Sequence, residues 1–208
     1  MTAISKTLPD WLNVSRETLE RLGVLESLVV KWTVAVNLIS KSSVPEIWPR
    51  HILDSAQISV LSDPIQGAWV DLGSGAGFPA LVLAIIAKER SGDATFTLIE
   101  SDSRKAAFLM QAIRALDLSA NVIVKRIDEV PPLNAEILTA RALAPLDSLL
   151  DHAARHLRPT GRAFFPKGAS FQDEINTARQ RWKFRCTAHK SLTDPLSAIL
   201  EVDGIELH

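Results

Sequence analysis

Three glycines separated by single residues stand near the middle of the chain, and an acidic residue lies two positions before the first of them. The segment reads VDLGSGAGFP, with Asp71 followed by Gly73, Gly75 and Gly77. Glycine adopts positive φ readily and lets the main chain approach a ligand closely, because it has no Cβ. The flanking apolar residues predict a strand before this turn and a helix after it. A helix start presents free N–H groups and a positive dipole end, so the loop suits an anionic or polar ligand. An ordinary strand-to-helix turn is the alternative.

The spacing of the glycines separates two classes of ligand. A dinucleotide fingerprint, G-x-G-x-x-G, needs its third glycine at position 78, which is Phe78 in this chain, and an oxidoreductase of that kind is therefore disfavoured. The pattern D-x-G-x-G-x-G instead resembles the cofactor loop of S-adenosylmethionine-dependent methyltransferases. Glu100 follows Gly77 by 23 residues, at the end of the next predicted strand. An acid at that place can accept hydrogen bonds from ribose hydroxyls, although it could also cap the following helix.

Polar residues also follow the later predicted strands, on the side of the sheet where ligands bind in open α/β folds. Ile127 and Asp128 come after the third strand, where Asp128 could accept the exocyclic amine of adenine or lie in a plain surface loop. Arg141 ends the fourth strand, where it could contact the substrate or form a structural ion pair. Lys167 ends the fifth strand, where it could face the substrate or be solvated.

A further polar cluster precedes the glycine loop. The segment RHILDS places Arg50, His51, Asp54 and Ser55 on one face of a predicted helix. This arrangement suits a lid over the cofactor, although helix capping explains Asp54 nearly as well.

Other kinds of chemistry find little support in the sequence. His152 and His156 lie one helical turn apart without a third candidate ligand, so no metal is expected. Cys186 lies in a late predicted strand without a preceding proline, which disfavours a cysteine nucleophile. The Asn/Asp-Pro-Pro-aromatic motif of amino-group methylation is also absent, because Pro131 and Pro132 are preceded by valine.

Length and composition indicate one globular unit. The 208 residues are 47% hydrophobic and 23% charged, which is ordinary for one domain with an appendage. The longest apolar run, from Leu81 to Ala87, is too short to cross a bilayer. There is no signal-peptide pattern at the N-terminus, and a single cysteine excludes an internal disulfide framework. We therefore expect a cytoplasmic protein with no membrane contact.

Charge is distributed unevenly, although the net charge is only −1. The window 155–190 holds nine basic and two acidic residues, a net charge of +7. Such a zone could contact phosphates, or it could be the solvated face of a helix and an edge strand.

The order of predicted elements indicates an α/β fold with an N-terminal helical cap over residues 1–66 and a core over residues 67–208. Helices are predicted after Ser15, as one helix or two because Gly23 interrupts the pattern, and near Pro49–Leu61. Strands and helices then alternate, as in a parallel sheet covered on both faces, and two antiparallel strands end the chain. The predicted strands are 68–72, 95–100, 121–126, 136–140, 162–166, 183–190 and 197–203, and the predicted core helices are 78–90, 103–117, 145–157 and 170–182.

Several motifs occur together in the order typical of one family. They are KW…NL at 31–38, RHILDS at 50–55, DLGSGAGFP at 71–79, ARA at 140–142 and KG at 167–168. On these motifs the chain resembles, over nearly its whole length, the bacterial 16S rRNA guanine-N7 methyltransferases, also called glucose-inhibited division protein B. The resemblance implies a class I, Rossmann-like, seven-stranded sheet that binds S-adenosylmethionine. It also implies methylation of one guanine N7 in 16S rRNA of the small ribosomal subunit.

The resemblance assigns cofactor contacts to Gly73, Phe78, Ile127, Asp128 and Arg141. Two positions depart from the family pattern, because Val36 replaces an aromatic residue and the acid of the second strand is Glu100 rather than aspartate.

The implied reaction has simple chemical requirements. Guanine N7 carries a lone pair and no proton, so the reaction needs alignment and neither a general base nor a covalent nucleophile. Asp71 and Glu100 could attract the cofactor's positive charge. We expect substrate positioning by Arg50, His51, Arg141 and Lys167, and a monomeric enzyme. A small-molecule methyltransferase and a non-catalytic ribosome-binding factor are the remaining alternatives.

Overall fold

The strands of the computed structural model, which describes residues 8–90 and 93–208, form one mixed seven-stranded sheet. Its order is β3-β2-β1-β4-β5-β7-β6, with β1 to β5 parallel and β7 antiparallel to both of its neighbours. The strands are β1 Ala68–Leu72, β2 Thr95–Ile99, β3 Ala120–Ile123, β4 Ala135–Thr139, β5 Leu157–Lys167, β6 Trp182–Lys190 and β7 Ala198–Leu207. The predicted α/β class with two antiparallel strands at the end is confirmed.

The strand order creates a crevice beside β1. Strand β1 lies between β2 and β4. After β1 the chain crosses to β2 on one side, whereas after β4 it crosses to β5 on the opposite side. Ligands of open α/β sheets bind in such a crevice, at the carboxyl ends of the strands. The glycine loop follows β1, Glu100 follows β2 and Arg141 follows shortly after β4, so all three lie at this edge.

The helices cover both faces of the sheet. They are α1 Arg16–Val36, α2 Asp54–Ala56, α3 Ile58–Leu61, α4 Ala80–Arg90, α5 Ser103–Leu116, α6 Leu146–His156 and α7 Phe171–Ala178. Ser15 caps α1 as predicted, with its Oγ accepting from the Thr18 amide at 3.2 Å. Gly23 does not divide this segment, which forms one continuous helix that ends at Asn37 in the left-handed conformation.

Helix α4 is buried on all sides over Ala80–Ala87. A helix that is apolar all round needs cover on all sides. The sheet covers one side of α4, and α1 of the cap packs against α4 and α5 on the other. Cap residues such as Leu22 and Leu25 therefore share one hydrophobic cluster with Leu81 and Phe108 of the core. The expected boundary at residue 66 separates two parts of a common packing unit. Of the expected cap, residues 1–7 lie outside the described part of the chain.

The second cap helix differs from its prediction. Instead of one helix near Pro49–Leu61, the chain forms a π-helical turn over Trp48–Leu53 and then the short helices α2 and α3. The carbonyl oxygens of this turn have partners outside the ordinary helical pattern: Arg50 O accepts from Arg141, and His51 O accepts from the Ser55 hydroxyl. Single π turns occur often at functional sites.

Several helices and strands begin or end at residues other than those predicted, because tertiary contacts determine their bounds. Strand β3 stops at Ile123, because β2 ends opposite it at Ile99 and offers no further partner. Helix α7 ends at Ala178, four residues before its predicted end, because Trp182 is buried as the first residue of β6, opposite Leu207. Strands β5 and β7 are longer than predicted.

Two glycines with opposite surroundings test this packing. Gly23 has open space where a Cβ would stand, whereas a Cβ at Gly77 would lie 2.3 Å from Leu81 Cδ1 at a φ of +81°. Gly23→Ala should raise the free energy of unfolding by about 0.5–1 kcal/mol through helix propensity. Gly77→Ala should lower it by about 1–3 kcal/mol through strain and overpacking. Urea unfolding measures both, and equal effects of the two substitutions would contradict this assignment.

Candidate functional site

The glycine loop divides its glycines between a cavity and the core. All three have positive φ, at 61° for Gly73, 52° for Gly75 and 81° for Gly77. Gly73 and Gly75 line a cavity of about 400 Å³ at the carboxyl ends of β1 and β2. Gly77 is buried, and its missing Cβ makes room for Leu81 and Leu109. The first two glycines can therefore meet a ligand, whereas the third serves the packing of the following helices.

Glu100 holds the loop in shape at the floor of this cavity. Its Oε2 accepts from the Gly75 amide at 2.8 Å, and its Oε1 accepts from the Asp102 amide at 2.7 Å. Helix α5 has its own cap, because Asp102 accepts from Arg104 and Lys105. Capping of α5 is thus not the role of Glu100. A carboxylate has about four acceptor positions, so Glu100 can still take up hydroxyl groups of a ligand.

The far wall of this first cavity comes from the 3₁₀ turn Ile127–Glu129, of which Ile127 and Asp128 line the space. Asp128 is 70% exposed, and its Oδ1 lies 3.5 Å from His152 Nδ1. Both residues that were predicted to contact the adenine thus lie across the cavity from the glycines. Three cations, Lys105, Lys125 and Arg126, line the same cavity.

Asp71 lies beneath the loop and is buried. Its Oδ1 accepts from the Thr139 hydroxyl at 2.6 Å, while its Oδ2 has no hydrogen-bond partner in the described part of the chain. Burial raises the pKa of Asp71 to about 6, against the nearby hydroxyls of Ser74 and Thr139 and the charge of Arg141. An unpartnered buried carboxylate oxygen is costly, and a polar or cationic ligand group would satisfy it.

Arg141 joins the cap to the sheet. Its Nη1 donates to Arg50 O at 3.2 Å and lies 3.4 Å from Asp54 Oδ2, while its Nη2 lies 2.9 Å from His51 Nδ1. The guanidinium carbon lies 5.3 Å from the centre of the Phe78 ring. Burial lowers the pKa of Arg141, but an arginine remains charged in proteins. Arg141 therefore forms a structural ion pair and also lines a second cavity, described below.

His51 holds the side chain of Arg141 in place and lines neither cavity. Its ring stacks on Phe78 with 5.2 Å between centres and 17° between planes. Because a guanidinium can only donate, His51 Nδ1 must accept, and the imidazole proton must lie on Nε2. Burial, together with the charges of Arg141 and Arg50, lowers the pKa of His51 to about 4. Phe78 is only 4% exposed beneath these two side chains, so it shapes the site from below.

A second cavity, of about 500 Å³, adjoins the first. The two share Ala142, Leu143 and Ala144 as a common wall. Arg141 and Lys167, both predicted to position the substrate, line the second cavity together. Arg50 lines neither cavity: its exposed side chain lies 3.4 Å from Glu46, and only its carbonyl oxygen takes part in the site.

Three side chains of the second cavity were not among the predicted site residues. Asp54 Oδ1 accepts from Gln57 Nε2 at 2.9 Å and from the Thr193 hydroxyl at 3.1 Å, which ties the cap to the β6–β7 loop. Gln57 Oε1 also accepts from the Leu192 amide at 2.8 Å. Glu174, on α7, pairs with Lys167 at 2.7 Å. The RHILDS motif included Asp54, but no sequence signal marks Gln57 or Glu174, whose partners are distant in the chain.

The basic zone at 155–190 is largely neutralised. Most of its cations pair with acids, and all but one of these acids lie outside the window. The pairs are Arg158–Glu136, Arg162–Glu201, Lys167–Glu174, Arg181–Asp151, Lys183–Glu206 and Arg185–Asp203. A count within a window misses partners that the fold brings from other strands. The zone therefore consists largely of ion pairs across neighbouring strands and between strands or loops and helices, which neither sequence interpretation included.

Across residues 8–90 and 93–208, no three His, Cys, Asp or Glu side chains are grouped so that they could hold a metal ion. Within the same residues, no helix is both long and apolar enough to span a membrane.

Comparison with known proteins decides the family. The model of the family described as rRNA small subunit methyltransferase G matches residues 18–198. The chain belongs to this family. A ribosomal RNA small subunit methyltransferase G from Ruegeria sp. (strain TM1040) is 49% identical over 195 residues, covering 94% of this chain and 95% of its own. The protein of that name from Cereibacter sphaeroides (strain ATCC 17025 / ATH 2.4.3) is 47% identical, covering 99% of each chain. The resemblance inferred from the motifs is confirmed.

Solved structures agree on the fold. A mutant of MtNAS in complex with S-adenosylmethionine has a TM-score of 0.60 at 14% identity, covering 89% of this chain and 75% of its own. A TehB-like SAM-dependent methyltransferase from Corynebacterium glutamicum has a TM-score of 0.56 at 14% identity, covering 88% and 98%. This chain therefore has the class I, Rossmann-like methyltransferase fold.

The protonation of His51 is measurable. We expect its imidazole to stay neutral, with the proton on Nε2, until the pH falls to about 4. Since the pKa is lower in the folded state than in the unfolded chain, the unfolded state binds more protons between pH 6.5 and 4. The stability contributed by neutral His51 is therefore complete above pH 6.5 and is lost as the pH falls towards 4. Nitrogen-detected NMR of the imidazole reports the titration directly.

A matched variant isolates the effect on stability. His51→Asn keeps an acceptor for Arg141 but does not titrate, so the wild type should lose stability relative to it between pH 6.5 and 4. The opposite contribution of Asp71 cancels in this comparison. A His51 that titrates near 6.5 would show that Arg141 does not hold it.

Proposed function

We propose that this chain transfers the methyl group of S-adenosylmethionine to N7 of one guanine in 16S rRNA of the small ribosomal subunit. The observation that carries the proposal is the pair of adjoining cavities with a shared wall, in a chain of the rRNA small subunit methyltransferase G family. One cavity has the glycine loop of a cofactor site, and the other has the polar lining of a base site.

The residues of the first cavity fit S-adenosylmethionine. Glu100 would accept from the ribose hydroxyls, and Asp128 from the adenine amine, with Ile127 beside the ring. Gly73 and Gly75 leave bare backbone next to the methionine portion. Asp71, buried beneath the loop and lining neither cavity, contributes its negative charge from below. When bound, S-adenosylmethionine supplies an electrophilic methyl group on a positively charged sulfur.

The chain itself needs only to position the base. Guanine N7 has no proton to remove, so alignment at close approach provides most of the rate enhancement. Ala142, Leu143 and Ala144 line both cavities, so a base in the second cavity would meet the cofactor's methyl group along this segment, at the direct approach of about 3–3.5 Å that the transfer needs. Leu143 lies over Gly73, with its Cδ1 2.6 Å from the place of a Cβ on that glycine, and therefore sets how closely the two ligands approach.

Arg141, His51 and Phe78 act as one positioning unit in this proposal. Arg141 lines the base cavity and is fixed by His51, which in turn rests on Phe78. Arg50 contributes through its carbonyl oxygen. Gly77 and Phe78, first assigned to the cofactor, support the site through packing.

The proposal places the reaction in the cytoplasm, where ribosomal subunits are, and requires no second copy of the chain and no metal. Lys125 and Arg126 are exposed at the first cavity and are available to RNA phosphates. Most cations of the basic zone at 155–190 are instead paired with acids of this chain.

One experiment tests the reaction, the atom and the substrate together. The purified protein is incubated with S-adenosylmethionine and small subunits that lack N7-methylguanine, and the RNA is then treated with borohydride and aniline, which cleave at that base. We expect one new cleavage in 16S rRNA. If S-adenosylmethionine binds but no cleavage forms on subunits or on naked 16S rRNA, the proposal is wrong and a small-molecule substrate or an assembly role replaces it.

The cofactor assignment has its own test. Glu100→Gln removes one charged acceptor beside Gly75, and we expect the Kd for S-adenosylmethionine to rise about 10- to 100-fold, since a hydrogen bond to a charged group contributes about 1.5–3 kcal/mol. Isothermal titration calorimetry measures it. Glu206→Gln, in an exposed pair with Lys183 away from both cavities, is the matched control. An unchanged Kd in both variants would remove Glu100 from the cofactor site.

A further inference from the structure

An ammonium and a carboxylate stand side by side in the wall of the second cavity. Lys167 Nζ lies 2.7 Å from Glu174 Oε2, and the side chains are 9% and 23% exposed. The ammonium also donates to Ala144 O at 2.7 Å, and the same carboxylate oxygen accepts from the Leu146 amide at 2.8 Å. Both groups are therefore held in place by main-chain groups on either side of Pro145, at the start of α6.

This pair keeps unused hydrogen-bonding capacity. An ammonium has three N–H donors, and Lys167 uses two. Glu174 Oε1 takes part in no hydrogen bond with the described residues, and both side chains line the 500 Å³ cavity. The cavity wall thus presents one donor and one acceptor next to each other. A solvated lysine, which the sequence left open, is excluded by the burial of Lys167.

The pattern of donor and acceptor matches one purine edge. Guanine presents O6, an acceptor, next to N1–H, a donor. Adenine presents the reverse, a donor at its exocyclic amine next to the acceptor N1. Uracil offers the same pattern as guanine but has no N7 to methylate. A donor–acceptor pair of fixed geometry therefore selects guanine among bases that could react at N7.

The position of the pair also orients the base. Lys167 is tethered to Ala144 O, which belongs to the wall shared with the first cavity. A guanine whose O6 accepts from Lys167 thus has O6 near this wall. N7 is adjacent to O6 on the same side of the purine, so it faces the wall and the first cavity.

We propose that Lys167 and Glu174 read the target guanine, with Lys167 donating to O6 and Glu174 Oε1 accepting from N1–H. The inference rests on the proposed methylation of guanine N7 and adds the residues that select the base. Glu174 is the new element, since it carries no motif of its own in the sequence.

Glu174→Gln is the decisive substitution. Glutamine can keep its carbonyl oxygen towards Leu146 and Lys167, but it turns an amide donor towards guanine N1–H. We expect kcat/KM on small subunits to fall about 10- to 100-fold with an unchanged Kd for S-adenosylmethionine, and the unfolding midpoint to fall because Lys167 loses its charged partner. Asp173→Asn, which changes the exposed neighbouring acid on the same helical turn, is the matched control and should keep wild-type activity.

A binding measurement separates base reading from a structural role. Guanosine and inosine 5′-monophosphates both present O6 and N1–H, whereas adenosine 5′-monophosphate does not. In the wild type we expect the first two, and not the third, to shift the Gly168 and Ala144 amide resonances. In Glu174→Gln this preference should disappear. A merely structural Glu174 would leave the preference intact in whatever protein remains folded.

The outcomes are distinguishable from failure of the proposed function. If the wild type produces no N7-methylguanine in 16S rRNA but prefers guanosine over adenosine monophosphate through Glu174, the cavity reads guanine and the proposed methylation is wrong. If the wild type methylates 16S rRNA while Glu174→Gln is equally active, or adenosine monophosphate binds as guanosine monophosphate does, the assignment of Glu174 is overturned.

Discussion

The site depends on the pairing of the largely buried guanidinium of Arg141 with groups of the cap. Arg141 lies just after β4, and the groups that it pairs or hydrogen-bonds with are the Arg50 carbonyl, His51 and Asp54, all in the cap. A buried charge is stable only when it is paired and hydrogen-bonded. The π turn of the cap and the start of α2 bring these three groups to Arg141. The segment that lines both cavities begins at Ala142, directly after Arg141.

The glycine loop serves two purposes at once. Gly73 and Gly75 expose backbone to the cofactor cavity, while Gly77 lets α4 and α5 approach the loop. Glu100 bonds to the loop and to the start of α5, so the same acid that can hold a ribose also fixes the shape of the floor. Binding and packing thus depend on the same few residues.

Local signals predicted much of this molecule. The alternation of strands and helices, the Ser15 cap and the polar residues at the strand ends follow from periodicity and glycine spacing, and the motif order identified the family. Signals that depend on distant contacts were invisible. The charge of the 155–190 window suggested RNA, because Glu201, Asp203 and Glu206 pair with it only after β7 folds beside β5 and β6. His51 was predicted to touch substrate, but its role is decided by Arg141, 90 residues away. Glu174 was not predicted, because its contacts with Lys167 and the Leu146 amide form only in the folded chain.

Helix α4 has a consequence for how this chain can be divided. Its Ala80–Ala87 stretch is buried on every side, with α1 covering what the sheet leaves bare. A chain that began at β1 would present that apolar surface to water. Recombination, whether in evolution or in the laboratory, therefore cannot exchange the cap as an independent module. Residues 8–66 and the sheet share one hydrophobic cluster, so a graft of new specificity onto this scaffold is best made in the loops at the carboxyl ends of the strands.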